Sequence, residues 1–255
     1  MTVQFQIYMR INQIIKIVES SISNKEEKSY FFTHVERYKK ILSEIQKISG
    51  DRKLIILDVG CFPYHLGRIL EILGHTIYGI SSKHEPVKNG KISIINIENE
   101  KFPYPSNFFD LILMSEVIEH LPQSPLLSLE EARRVLKKEG LIVITTPNIA
   151  RSINRIKIMF GKNIMYPIDM YFENSGRGNL IYHRHNREYT LTELKDILSK
   201  TEWRSIKGSF FISYTPWRKR IYPDFIWLKL IKIINFLFMV FVPGVRDTLF
   251  VVAKK

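Results

Sequence analysis

Cysteine is almost absent from this 255-residue chain, where Cys61 stands alone. One thiol excludes an intramolecular disulfide framework and a cysteine-rich zinc site, and it fits a reducing, cytoplasmic compartment. The first residues, MTVQFQIYMRINQIIKIVESS, lack the unbroken apolar stretch and small-residue cleavage site of a signal peptide, so they read as an amphipathic helix. Internal repeats and low-complexity tracts are missing too. Acids are in deficit: 25 Asp and Glu stand against 38 Lys and Arg, a formal charge of +13. That balance suits an anionic partner such as nucleic acid, acidic lipid or a phosphorylated acceptor, and equally suits a lysine-rich surface kept for solubility. What is present is an ordinary globular composition, 45% hydrophobic and 25% charged, which excludes a disordered chain. The length fits one α/β core with additions.

From Asp51 onward, strand-length apolar runs alternate with amphipathic stretches, the pattern of repeated βαβ units. Leu54 to Val59 (LIILDV) is apolar without alternation, as expected of a central strand buried on both faces. A helix over His65 to Leu73 follows, then strands at Thr76–Ile80, Ile92–Ile97 and Leu111–Met114. Glu130 to Lys138 places acids before bases, in the sense that suits a helix dipole, and Gly140 reads as its carboxy-terminal cap. Leu141–Thr146 is the fifth strand; Thr190 and Glu193 form a capping box before another helix; Ile206–Tyr214 and Thr248–Ala253 are the last strands. The expectation is a doubly wound, mainly parallel, seven-stranded Rossmann-like sheet with an antiparallel last strand.

Ligands of such sheets gather beyond the carboxyl ends of the strands, so the turns there carry the chemistry. After the first strand stand Asp58, Gly60 and Cys61, where glycine lets a ligand approach the backbone. Residues 102–110 (FPYPSNFFD) lead into LILMSEVIEHL and then into EARRVLKKEGLIVITTPN. In this order the stretches resemble the methyltransferase domain of the class I S-adenosylmethionine-dependent superfamily, over roughly residues 51–215 and again at the last strand. The run His185 to Thr190 (HNREYT) is similar to a subgroup acting on small molecules and surface glycans. The resemblance implies S-adenosylmethionine as cofactor. It sets Gly60 and Cys61 beside the methionine part, Asp58 at its ammonium, Asn96, Ile97 and Glu98 around adenine, and Ser115 beneath the sulfonium. Two departures stand out: Phe62 and Tyr64 replace glycines of the usual turn, and Ser81 occupies the place of the acid that holds the ribose, with Glu85 the nearest substitute. A scaffold that has lost the cofactor is the non-enzyme reading these departures raise.

Methyl transfer is an in-line displacement in which positioning supplies much of the rate. A hydroxyl acceptor also needs a base, for which His120 is the first candidate and Glu116 the next; the bland alternative for His120 is a residue that orders its loop. Glu116 and Glu119 with a single histidine are a thin ligand set, and His183 and His185 are expected to line an acceptor pocket, so no metal is expected. His185, Arg187 and Tyr189 are the substrate-side candidates, within an acceptor segment over residues 148–189 that is long for a link. Residues 1–50 are read as amino-terminal helices and 51–255 as the methyltransferase domain, with an apolar-basic insertion at 217–246. A helix over residues 225–242 would be roughly 27 Å long, but Lys229 and Lys232 would each cost about 2.5–3.5 kcal/mol near mid-membrane. A peripheral contact of residues 217–243 with an anionic inner membrane face is the expectation, with packing on the core or on a second subunit as the alternative. The resulting function is O-methylation of a glycan, lipid-linked saccharide or other small acceptor; RNA methylation is the alternative, though no RNA-binding module is visible.

Overall fold

The computed structural model describes residues 3–82, 91–166, 184–213 and 226–255, with the main chain alone at 3–8, 226–229 and 231. Two helices come first, α1 (Val3–Ser21) and α2 (Lys25–Ser49). Asn24 caps α2 by accepting from the amides of Glu26 and Glu27, and Gly50, at φ 56°, ends it. Then follow β1 (Ile55–Val59), α3 (His65–Ile72), β2 (Thr76–Ser81), β3 (Ile92–Ile94) and β4 (Phe109–Ser115). A 3-10 turn (Ile118–His120) leads to α4 (Leu126–Val135), β5 (Leu136–Pro147) and α5 (Ser152–Met159). The last elements are α6 (Leu191–Lys200), β6 (Arg204–Phe211), α7 (Ile226–Phe241) and β7 (Thr248–Lys254).

The seven strands form one sheet in the order β3-β2-β1-β4-β5-β7-β6. β7 alone runs against the rest, pairing antiparallel with both β5 and β6. β1 is flanked on both edges and covered on both faces, which is why its sequence is apolar without alternation. On one face, Ile41, Leu42 and Ile45 of α2 and Ile14 of α1 join Ile56, Leu111 and Phe250 in a single cluster. On the other, Leu129 and Ala132 of α4 and Leu194 and Leu198 of α6 pack on Leu57, Ile112 and Ile144. Burial of such side chains stabilises by about 1.5–3 kcal/mol each. His65, 0% exposed, fastens α2 to α3: its Nε2 meets the Glu27 carboxylate at 3.0 Å and its ring stands edge-on to Phe31.

The seven-stranded, mainly parallel sheet with its antiparallel last strand and the capping box of Thr190 and Glu193 agree with the sequence. The end of α4 does not. The helix stops at Val135, and Gly140 lies inside β5 instead of capping α4. Leu136, fully buried and paired with Phe109, is drawn into the sheet, and a β carbon at Gly140 would meet Leu136 Cγ at 2.7 Å. Burial of one leucine thus outweighs the helical preference of EARRVLKK. β3 is shorter than the apolar run suggested, because residues 95–97 leave the sheet edge. Tyr214 lies outside the described residues. Among the described residues no helix is long and apolar enough to cross a membrane.

Candidate active site

Strand order reverses between β1 and β4, so the turns leaving them part and open a crevice. A cavity of about 340 Å³ lies there, lined among others by Gly60, Ser81, Asn96, Ile97, Glu116 and His120. Its size falls in the range of small-molecule sites, about 300–1,000 Å³. Gly60 forms its floor at φ 73°, its amide donating to the Ile80 carbonyl at 2.8 Å. A β carbon there would sit 2.5 Å from Val117 Cγ2, so only glycine leaves the backbone open to a ligand.

Neither of the two departures at the turn fills the crevice. Phe62 and Tyr64 do not line it. The Tyr64 ring folds back over Gly67, where a β carbon would come within 2.3 Å of it, and its hydroxyl donates to Glu71 at 2.9 Å.

Of the residues expected around the cofactor, Gly60, Ser81, Asn96 and Ile97 line the cavity, whereas Asp58, Cys61, Glu98 and Ser115 do not. Asp58 is buried under the floor, and burial pushes its carboxyl up to about 7 against the opposing pull of Arg37. Cys61 packs toward β2, and burial pushes its thiol up. Glu98 turns away to accept from the Gln123 amide at 2.9 Å; Glu100 takes its place on the wall and accepts from the Asn96 amide at 2.7 Å. Glu85 and His183 lie outside the described residues.

Glu116 sits at φ 57° just beyond β4. Its Oε1 accepts from the Thr145 hydroxyl at 2.9 Å, and because that proton is committed, Thr145 accepts in turn from Ser115 at 3.0 Å. Its Oε2 pairs with Arg37 at 3.3 Å. Arg37, 5% exposed, was not singled out from the sequence. Burial works against its charge and Glu116 restores it, while its Nε has no hydrogen-bond partner among the described residues. A signal did exist: Arg37 interrupts the stripe Phe31, Val35, Tyr38, Ile41, Leu42 and Ile45 that α2 buries.

His120 and His185 meet edge to face, with ring centres 4.9 Å apart. The Arg184 carbonyl can only accept, so His120 Nδ1, at 3.0 Å, is the donor and carries the proton. His185 Nδ1 lies 2.8 Å from Glu188 Oε1. Burial alone would raise Glu188; bonds from His185 and Arg151 overcome it and hold the carboxyl at about 2. Glu119 lies beneath, fully buried, and its carboxyl is driven well above the ordinary range by burial and then by the Glu116 charge. The other two substrate-side candidates are engaged elsewhere. Arg187 pairs with Glu193 at 3.1 Å, and Tyr189, 2% exposed, is core. Tyr189 is buried because residues 148 and 189 form a bridge that draws it onto the sheet.

A mainly parallel sheet of this order, with one antiparallel strand and an open crevice at the ends of β1 and β4, is the fold of class I S-adenosylmethionine-dependent methyltransferases. The family model described as Methyltransferase domain matches residues 32–207, and the chain belongs to that family. Among solved structures, a SAM-dependent methyltransferase from Archaeoglobus fulgidus is 17% identical, with a TM-score of 0.56 over 89% of this chain and 99% of the other. A Thermotoga maritima protein described as a SAM-dependent methyltransferase, "possible histamine N-methyltransferase", gives 17% and 0.57 over 90% and 95%. The cyclase SpnF gives 15% and 0.53 over 86% and 80%, so likeness at this level carries the fold and not the reaction. No curated protein matches the sequence.

The residues present fit the cofactor. Gly60 offers backbone, Ile80, Ile95 and Ile97 an apolar slot for a base, Glu116 a carboxylate, and Arg37 a buried cation behind it. The reading as a scaffold that has lost its cofactor is therefore set aside.

Proposed function

We propose that the chain methylates a hydroxyl of a small polar acceptor, such as a glycan or a lipid-linked saccharide. The observation that carries this reading is His120 on the cavity wall, edge to face with His185, each ring with Nδ1 turned to an oxygen of the chain. This arrangement leaves Nε2 as the basic atom of His120 on the cavity wall, as removal of a hydroxyl proton requires. When bound, S-adenosylmethionine supplies an electrophilic methyl group. Gly60, Asn96 and Ile97 would hold it, Glu116 would face its positive charge, and the cavity walls would align acceptor and methyl. Asp58, Cys61, Glu98 and Ser115 would act from behind by fixing these walls. The test is transfer of a labelled methyl from S-adenosylmethionine to a panel of hydroxyl and amine acceptors. Label that enters only amines, with a rate unchanged in His120→Ala, overturns the reading.

The same acceptor class suits work at a lipid surface. Leu230, Ile233, Ile234, Leu237, Phe238 and Phe241 of α7 are exposed, as are Ile156, Ile158, Met159 and Phe160 of α5, against which α7 packs. Apolar patches this continuous mark interaction sites. Trp217, Tyr222 and the side chains of Trp227 and Lys229 lie outside the described residues. The protein is expected to float with vesicles containing acidic lipid, and Phe238→Ser with Phe241→Ser to cut the floating fraction severalfold. Protein that stays at the bottom with and without acidic lipid ends the idea.

A further inference from the structure

We propose that Glu119, His120 and His185 form a binding site for a first-row divalent transition metal ion beside the crevice, whose wall His120 lines. One donor atom from each lies within 4.8 Å of the others. His120 Nε2 stands 3.9 Å from Glu119 Oε1. Ligands about 2.0–2.2 Å from a common ion stand roughly 3–4 Å apart, so small rotations of the two half-exposed rings complete the set. This departs from the expectation of no metal, in which Glu116 and Glu119 with one histidine, and His183 with His185, stand as two separate sets; the fold brings His185 to Glu119 and His120.

Three independent features point to a cation. Glu119 Oε1 is fully buried and accepts no hydrogen bond among the described residues, while its Oε2 accepts from Thr146 at 2.9 Å. An orphaned oxygen of this kind carries the whole penalty of desolvation unless a charge faces it. Both histidines are held by bonds at Nδ1, one to the Arg184 carbonyl and one to Glu188, which is itself clamped by Arg151. Such outer bonds are those that orient ligating imidazoles and present Nε2 to an ion. Finally, the two arms are locked together: the amides of Asn186 and Arg187 donate to the Glu119 carbonyl at 2.7 and 3.2 Å, and the Asn186 side chain donates to the His120 carbonyl at 2.7 Å. The set is thus built by main-chain bonds between residues more than sixty positions apart in sequence.

Two imidazoles and one carboxylate suit zinc, manganese, iron or cobalt better than magnesium or calcium. Three protein ligands leave room for an oxygen of the acceptor, and this part rests on the hydroxyl reading above. The coordinated hydroxyl would release its proton to solvent, and its oxygen would form the new bond to carbon as the carbon–sulfur bond breaks, the electron pair leaving with sulfur. His120 would then be a ligand instead of the base.

The test is titration of the metal-free full chain with cobalt(II), read by visible absorption, with S-adenosylmethionine binding followed separately by calorimetry. One equivalent is expected, with affinity lowered at least about 100-fold in His185→Ala and about 10–100-fold in Glu188→Gln. Glu119→Gln is expected to abolish the signal; should it fail to fold, the two partly exposed positions still decide. Substoichiometric binding, or binding indifferent to His185→Ala, overturns the site. Cofactor heat that persists in that case leaves methyl transfer standing, so the two readings fail separately.

Discussion

Gly60→Ala is expected to lose both stability and cofactor affinity, the first by about 2–5 kcal/mol. A left-handed backbone costs a residue with a β carbon roughly 1–2 kcal/mol, and forcing that carbon into a filled space typically costs about 1–3 kcal/mol more. Here the added carbon would lie 2.5 Å from Val117 Cγ2 at φ 73°. Val117 follows Glu116 on the cavity wall, so relief of the clash must displace the wall. A shift worth 1.4 kcal/mol in the bound state lowers affinity about tenfold, and at least that is expected in calorimetry with S-adenosylmethionine. Pairing the change with Val117→Ala separates the two causes. The double variant should regain the part due to overlap and keep the part due to backbone conformation. Unchanged affinity in Gly60→Ala would show that the cofactor does not approach this floor.

Arg37→Met is expected to lower the melting temperature by about 6–12 °C. Removing one partner of a buried pair costs about 3–5 kcal/mol. The lower figure applies because the Glu116 side chain is 21% exposed, and for a chain of this size each kcal/mol shifts melting by about 2–4 °C. The effect should depend on pH, and its sign follows from Asp58. That carboxyl titrates near 7 when folded, above its ordinary value of 3.8, so folding takes up a proton between those limits. Stability therefore falls as pH rises from about 4 to about 7. Arg37 opposes this rise; without it the folded value climbs further, and the loss extends to higher pH. Melting curves should show a wider gap between wild type and variant at pH 8 than at pH 5. A gap that is constant with pH would mean that Arg37 does not stabilise the Asp58 carboxylate.

Both residues show how far the sequence could be read. Gly60 was legible because the end of a buried strand followed by glycine is a local pattern, and the same locality made the succession of strands along the chain and the Thr190 cap readable. Arg37 was legible only as a break in the apolar stripe of α2, and its pairing not at all, because Glu116 lies across the fold. Glu98 and Glu100 show the limit at finer grain: two acids in one turn are equivalent in sequence, and only the bond to Gln123 decides which of them leaves the cavity wall. Tyr189 was misplaced for a similar reason. Its place in the run HNREYT reads as substrate-side, whereas the bridge from residue 148 draws it inward. The α4 boundary failed where local helical preference met long-range burial of Leu136.

The ring of Tyr64 lies where any side chain at position 67 would have to go. A methyl group at position 67 would therefore push the ring off its seat and strain the Tyr64 hydroxyl's bond to Glu71, so that this turn joins α3 through an aromatic resting on bare backbone.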